Sequence, residues 1–464
     1  MTRFCPAYPK PLKNRASLLM MFFHKRRSWM EALFERSYSM KMGEVTLPGH
    51  TLYMINQPSL VKQVMVSEYR DFPKHELLAE ALKPLLGESI FTTNGETWER
   101  QRRMMNPSFE LARMELAFPR MQAATDALLQ RLDGLGEHFT QDIDVEMTHV
   151  TADIIFRTIL STPMESRDAH RIFAAFSRFQ ALAPKVMLPV VYRLPSWLRS
   201  SKTRRECEQA GQEIRGLLEQ FIRPRYEAHQ QGDGATHQDV LATLLDTVDP
   251  VTGSAFDFDE LVDQVAMLFL AGHETSASAL SWALYLLSRD EEIQQRMHDE
   301  VVAILGQRMP DYSDLKHLAL TTNVFKEALR LFPPVGFFVR KATKSCPMRD
   351  KSVKAGSMLV IAPWLIHRHR QLWKDPDLFD PDRFEREETR ESVRSAYLPF
   401  GMGPRLCIGA GFALQEATLI LASLVRCYRF AALPGHEPKP VGRFTIRSEN
   451  GVRLQLTRRE VCTT

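Results

Sequence analysis

The chain has 464 residues, 44% of them apolar and 25% charged, which is enough to bury a large core and lacks the bias of a disordered or fibrous protein. Its 60 lysines and arginines are nearly matched by 56 acids, a net charge of +4, so the basic footprint of a nucleic-acid binder is missing. The six cysteines (Cys5, Cys207, Cys346, Cys407, Cys427 and Cys462) form no CxxC pair, which argues against zinc and dithiol chemistry and for free thiols in a reducing compartment.

The first apolar run, "ASLLMMFF" (16–23), is far shorter than the roughly 20 residues that span a bilayer. Its basic flank, "HKRRSW", follows it, the reverse of a secretory signal. A cytoplasmic protein without a transmembrane anchor is expected, with peripheral membrane contact by this segment as the alternative. "WMEALFERSY" reads as helix, and "GEVTLPGHTLYMI" (43–55) as a hairpin turning at Pro48-Gly49. Apolar spacings of three and four predict helices in "MELAFPRMQAATDALLQRL" and "RECEQAGQEIRGLLEQFIRPRYEAH", and "HQQGDGATHQ" (229–238) reads as a surface loop. Asp257 with Glu260 three residues on predicts a capping box. It opens a helix of about eight turns that is apolar nearly all round in its middle, and therefore buried. "SRDEEIQQRMHDEVVAILG" starts the next helix. "RFTIRSENGVRLQLTRR" predicts a hairpin over an Asn450-Gly451 turn. The expected fold is mainly α with a minor β portion, one domain over 1–464 whose β-rich parts lie near 43–55 and 440–458.

The chemistry concentrates in "FGMGPRLCIGAG" (400–411). Cys407 stands just before the helix predicted from "IGAGFALQEATLILASLV". There the orphan N–H groups and the helix dipole lower a thiol's pKa and suit it to act as a nucleophile or a metal ligand. Phe400 can cover the sulfur, and Gly401 and Gly403 permit a tight turn. Gly409, Ala410 and Gly411 leave a flat, side-chain-poor surface that a large planar cofactor would need. A lone cysteine at a helix start is usually a small buried hydrophobe. Here the spacing Phe-Gly-x-Gly-x-Arg-x-Cys-x-Gly, which fixes six residues over ten positions, outweighs that. A dinucleotide fingerprint fails, because Leu414 stands where GxGxxG needs glycine and no strand precedes, so any reducing electrons would have to come from another protein.

The stretch resembles the cysteine loop of the cytochrome P-450 haem-thiolate enzymes. The resemblance implies haem b (iron protoporphyrin IX) lying between the long central helix and the helix after Cys407. Cys407 would be the proximal iron ligand and Arg405 would bind a propionate, with Phe400 and Gly401 in the loop beside the ring. "AGHETS" (271–276) is similar to the family's distal acid–alcohol pair. Ala271 and Gly272 would face the haem, Gly272 leaving room for dioxygen. Thr275 would hydrogen-bond the oxygen and Glu274 would relay protons, while His273 receives no role. Glu327 and Arg330 in "FKEALRLFPP", with Arg383 in "FDPDRF", resemble the buried Glu-Arg-Arg network, although Glu99/Arg102, Glu110/Arg113, Glu387/Arg390 and Glu391/Arg394 share the three-residue spacing. Asp382 stands where the family often has Glu. Trp98 and Arg102 in "WERQRR", and Arg340 in "FFVRKA", match further propionate contacts. By the same resemblance Phe269, Val335, Phe337 and Phe338 would line the substrate pocket, with residues 76–93 and the hairpin near Asn450. The motifs span about residues 45–455.

The implied activity is insertion of one atom of dioxygen into a lipophilic small molecule, by hydroxylation or epoxidation. Electrons would come indirectly from NAD(P)H through a ferredoxin- or flavodoxin-type donor and its reductase, acting on a monomer. Arg100, Arg103 and Arg394 are candidate docking charges for that donor. Three alternatives stand beside this. A peroxide-driven or isomerising haem-thiolate enzyme would not need Glu274-Thr275. A non-catalytic haem sensor would need an output domain, and none is evident. A haem-free hydrolase with Cys407 as nucleophile lacks a base motif.

Overall fold

In a computed structural model, residues 3–13, 28–47, 50–164, 167–191, 200–233, 237–442 and 445–460 are described. The apolar run at 16–23, the Pro48-Gly49 turn and the centre of the loop at 229–238 lie outside them. The chain forms two compact units: Met1–Phe72, Thr125–Val150 and Thr275–Thr464 make the first, Pro73–Ala124 and Thr151–Glu274 the second. The helices Leu111–Asp133, Ile143–Leu160 and Phe258–Arg289 contribute residues to both.

Most of the first unit's strand content lies in two sheets. Met42–Leu47 and His50–Ile55 pair antiparallel from Met42 with Ile55 to Leu47 with His50, the expected hairpin. His50–Ile55 then runs parallel to Met358–Ile361, which pairs antiparallel with Phe338–Lys341. The alternation of the strands buries Met42, Tyr53, Ile55, Leu359 and Ile361 in one core with Met65, Trp373 and Leu398. Leu398 anchors the chain two residues before the cysteine loop begins. The second sheet places Arg453–Arg458 between His138–Asp142 and Tyr428–Ala432, all antiparallel.

Two local expectations are corrected. "WMEALFERSY" is two short 3-10 turns, Trp29–Ala32 and Glu35–Tyr38. Leu33 and Phe34 between them are extended, because the Leu33 carbonyl accepts from the Leu12 amide and the Glu35 amide donates to the Leu12 carbonyl. A strand-like contact with the N-terminal segment overrides helical periodicity. The C-terminal hairpin is not formed either. Ile446–Ser448 pairs with Pro440–Gly442, whereas Arg453–Arg458 joins the second sheet. Asn450 takes part in the first pairing: its side chain accepts from the Lys439 amide at 2.8 Å and donates to the Glu437 carbonyl at 3.0 Å. Gly451, at φ +76°, then sends the chain to the other sheet.

The helical readings fare better. Ser201–Gln230 is capped by the Ser200 hydroxyl, which accepts from the Thr203 amide, and Glu291–Leu305 by the Asp290 carboxylate, which accepts from Ile293. The long helix Phe258–Arg289 opens on the predicted box: the Glu260 amide donates to Asp257 at 2.8 Å and the Asp257 amide to Glu260 at 3.2 Å. In the second unit, Asp263 on this helix accepts from the Glu88 amide at 2.7 Å and from Arg215 at 2.5 Å. Among the described residues one helix, Ala410–Cys427, is long and apolar enough to cross a membrane by length and composition, and 72% of it is buried inside the protein. Cys5, Cys207, Cys346 and Cys407 form no disulfide. Cys427 is disulfide-bonded, against the expectation of free thiols throughout.

Candidate active site

The cysteine loop is built from backbone constraints. Gly401 and Gly403 have φ of +78° and +71°, which an L side chain adopts only at a cost. The Cys407 amide donates to the Phe400 carbonyl at 2.9 Å, and Leu406 to Gly403 at 2.9 Å. Arg405 closes the turn Gly403–Arg405, and the helix Ala410–Cys427 starts three residues after Cys407. Phe338 packs toward Gly401: a Cβ there would lie 3.6 Å from its ring. Cys407 is exposed, whereas every residue from Glu416 to Cys427 is buried. The sulfur thus stands at the accessible start of a core helix.

The long helix has a matching singularity. From Leu261 to Leu287 every residue is buried except Ala271, Gly272 and Thr275. Spacings of one and four place these three on one face, so a buried helix carries a single accessible patch, made of two small residues and one hydroxyl. Glu274 beside it is 8% exposed. Gly272 also has a packing reason: a Cβ would lie 2.4 Å from Ile155. Phe269 is buried between Phe156 and Phe176, its ring centroid 4.5 Å from the first and 6.0 Å from the second. Its packing inside the second unit accounts for it without a ligand. Val335 and Phe337 are half-buried, and Phe337 meets Trp29 edge-on at 5.2 Å.

Glu327, Arg330 and Arg383 form one buried cluster. Arg330 Nε and Nη2 each donate to the Glu327 carboxylate at 2.8 Å, and Arg383 Nε donates to it at 2.9 Å. The Asp380 amide adds a fourth bond at 3.0 Å. The remaining Arg330 donors go to the carbonyls of His367, Pro376 and Leu378. Such a cluster fixes backbone geometry more than it adds net stability.

Trp98, 5% exposed, and Arg102 lie one turn apart on Gly95–Met105. Arg102 Nε donates to Asn106 at 2.9 Å. The neighbouring arginines are committed elsewhere: Arg100 pairs with Glu260 at 2.6 Å and Arg103 with Asp249 at 2.9 Å, an arrangement that holds the Asp249 carboxyl well below its usual range. Arg394 pairs with Glu391 at 2.7 Å. Arg100 and Arg103 are thus held by buried or half-buried acids, whereas Arg394 and Glu391 are both exposed. Sequence reasoning missed Glu416, in the same helix as the loop. It is fully buried, and burial pushes its carboxyl up to about 8, with the Ser276 hydroxyl acting weakly the other way. An acid inside the apolar run "LQEATLILASLV" was the available signal.

These residues fit a haem on two observations. Arg340 is 6% exposed, with a bond to the Val339 carbonyl at 3.1 Å and no carboxylate ion pair among the described residues. Desolvation lowers its pKa to about 10, so an anionic partner such as a propionate would relieve it. In addition, no group of three or more His, Cys, Asp or Glu among the described residues could hold a metal ion. A single thiolate can serve as ligand only to a metal that arrives with its other donors, as in a macrocycle.

The comparisons give the class and then the family. The chain covers 90% of the crystal structure of the cytochrome P450DA heme domain, and is itself covered to 90%, with a TM-score of 0.80 and 25% identity. Cyclooctatin synthase of Streptomyces melanosporofaciens is 35% identical over 405 residues, 86% of this chain and 84% of that one. Cyclooctat-9-en-7-ol 5-monooxygenase of the same organism is 32% identical, covering 84% and 83%. Pentalenene oxygenase of Streptomyces avermitilis is 30% identical, covering 88% of each. The Cytochrome P-450 family model matches residues 6–454, and the chain belongs to that family. It is a haem-dependent monooxygenase.

Proposed function

We propose that Cys407 is the thiolate ligand of haem b, and that the site oxygenates a lipophilic small molecule, by hydroxylation or epoxidation, within a single functional domain. The observation that carries this is the accessible position of Cys407, in a glycine-shaped loop at the head of a buried helix. Bound haem supplies the reductive activation of dioxygen, with the thiolate donating electron density. Arg340, Arg405, Trp98 and Arg102 hold the propionates, Arg340 gaining the counter-charge it otherwise lacks. Phe400 shields the sulfur from water, and Gly401 keeps the loop close to the ring. Ala271 and Gly272 present a surface without side-chain bulk. The Thr275 hydroxyl, on the accessible patch, would donate a hydrogen bond toward the reacting oxygen and pass its proton there, to be reprotonated through Glu274, which would draw its own proton from solvent.

Val335, Phe337 and Phe338 would give the substrate an apolar surface. Two relatives bear the names cyclooctat-9-en-7-ol 5-monooxygenase and pentalenene oxygenase, which denote an alkenol and an alkene. An apolar, olefinic molecule of that kind is the substrate class we assign. Electrons arrive from NAD(P)H through a ferredoxin- or flavodoxin-type protein and its reductase, in the cytoplasm, with the chain as a monomer. The test is Thr275→Ala. It should leave the haem spectrum intact and divert reducing equivalents to peroxide, and an unchanged product yield per electron would overturn the relay.

A further inference from the structure

The chain from the buried Glu327 cluster to the cysteine loop passes through one side chain that no motif singled out. His367 is fully buried, one residue beyond the short helix Pro363–Ile366. Its Nδ1 lies 3.2 Å from the Arg330 carbonyl oxygen, and its Nε2 lies 2.9 Å from the Leu398 amide nitrogen. These neighbours decide the tautomer. A carbonyl can only accept, so Nδ1 carries the proton, and an amide N–H can only donate, so Nε2 offers its lone pair. The ring is therefore neutral. In the other direction, Arg330 Nη1 donates to the His367 carbonyl at 2.8 Å, so the two residues are tied reciprocally. On the loop side, the Leu398 carbonyl accepts from Gly401 at 3.2 Å, and the Phe400 carbonyl accepts from Cys407 at 2.9 Å. The ring also stacks on Tyr397 at 5.6 Å with a 27° tilt. All of these residues lie in the first unit.

We infer that His367 is a positioning residue for the thiolate: its neutral imidazole bridges the Arg330 carbonyl and the Leu398 amide, and so couples the Glu327–Arg330–Arg383 cluster to the loop that carries Cys407. The inference rests on the reading of Cys407 as haem ligand for its functional consequence, but not for its geometry. The chemistry calls for a side chain that donates at one end and accepts at the other across a rigid span. A phenyl ring fills the same space and stacks on Tyr397 but strands both backbone groups, whereas a glutamine amide can both donate and accept.

The experiment uses the reduced, carbon monoxide-bound holoprotein and the variants His367→Phe and His367→Gln. In the native protein, nitrogen-15 spectra of labelled histidine should show His367 neutral at pH 7 with the proton on Nδ1, and a charged ring or the opposite tautomer overturns the inference. In His367→Phe, amide hydrogen exchange across residues 397–409 should accelerate by about tenfold, the equivalent of one lost hydrogen bond, while Glu416–Cys427 stays protected. The fraction of haem with the thiolate absorption signature should fall with it. His367→Gln should recover part of both. Unchanged exchange in His367→Phe, or a glutamine variant no better than phenylalanine, contradicts the inference. If native protein lacks the thiolate signature altogether, the reading of Cys407 fails, and the tautomer and exchange results still decide the role of His367.

Discussion

Gly403 lies so close to Met65 that a Cβ on it would stand 2.3 Å from the Met65 carbonyl oxygen. Its φ is +71°, so two separate penalties fall on any replacement. Gly403→Ala should destabilise the protein by more than about 2 kcal/mol, because rigid backbone rather than a flexible side chain blocks the space. Gly435 is the control: its φ is +76° but nothing lies within 4 Å of a Cβ. Gly435→Ala should cost only about 1 kcal/mol. Paired urea denaturation measures the difference, and equal losses would contradict this reading of the loop.

Removing the charge from Glu327 leaves two buried guanidinium groups without their counter-ion. Glu327→Gln should cost about 3–5 kcal/mol, the range for breaking a buried pair from one side. A loss below about 1 kcal/mol in the same denaturation assay would show that the cluster is solvated.

Glu416 makes stability depend on pH. Its folded pKa of about 8 lies above the ordinary 4.5, so between these values the native protein holds a proton that the unfolded chain has released. The sign follows: this group's contribution is complete below the unfolded value and declines as pH rises through the folded one, by up to about 1.4 kcal/mol per pH unit. Glu416→Gln should flatten that decline between pH 5 and 8. Parallel slopes for the two proteins would mean that the carboxyl is ionised in the native state.

Arg340 is expected to matter to the holoprotein and not to the apoprotein. Arg340→Met removes a buried charge that meets only the Val339 carbonyl as a described partner, so apoprotein stability should hold or rise. Haem should dissociate about 10–100 times faster, as for the loss of one charged hydrogen bond. Unchanged retention, measured by transfer to apomyoglobin, would remove Arg340 from the propionate site.

What the sequence made legible was whatever is local or carried by a motif. The Asp257–Glu260 box and the spacing around Cys407 each involve residues within a few positions of one another. What it hid depends on partners far along the chain. Arg100 and Arg103 read as exposed docking charges until Glu260 and Asp249, about 150 residues on, take them up. Ile155 explains Gly272, and Lys439 and Glu437 hold Asn450 away from the hairpin its sequence suggests. His367 sits in "IHRHRQ", where nothing in the spacing announces a bridge to Leu398. Leu33 and Phe34 show the same lesson locally, since pairing with Leu12 overrides a helical pattern.

The central claim is a bond from the Cys407 sulfur to haem iron, and the ferrous–carbon monoxide absorption spectrum reads it directly. Native protein, purified with haem supplied, should give the band of thiolate-ligated haem, and Cys407→Ser should lose it while keeping its fold by circular dichroism. Identical spectra from the two proteins, or no haem bound by the native one, would contradict the account.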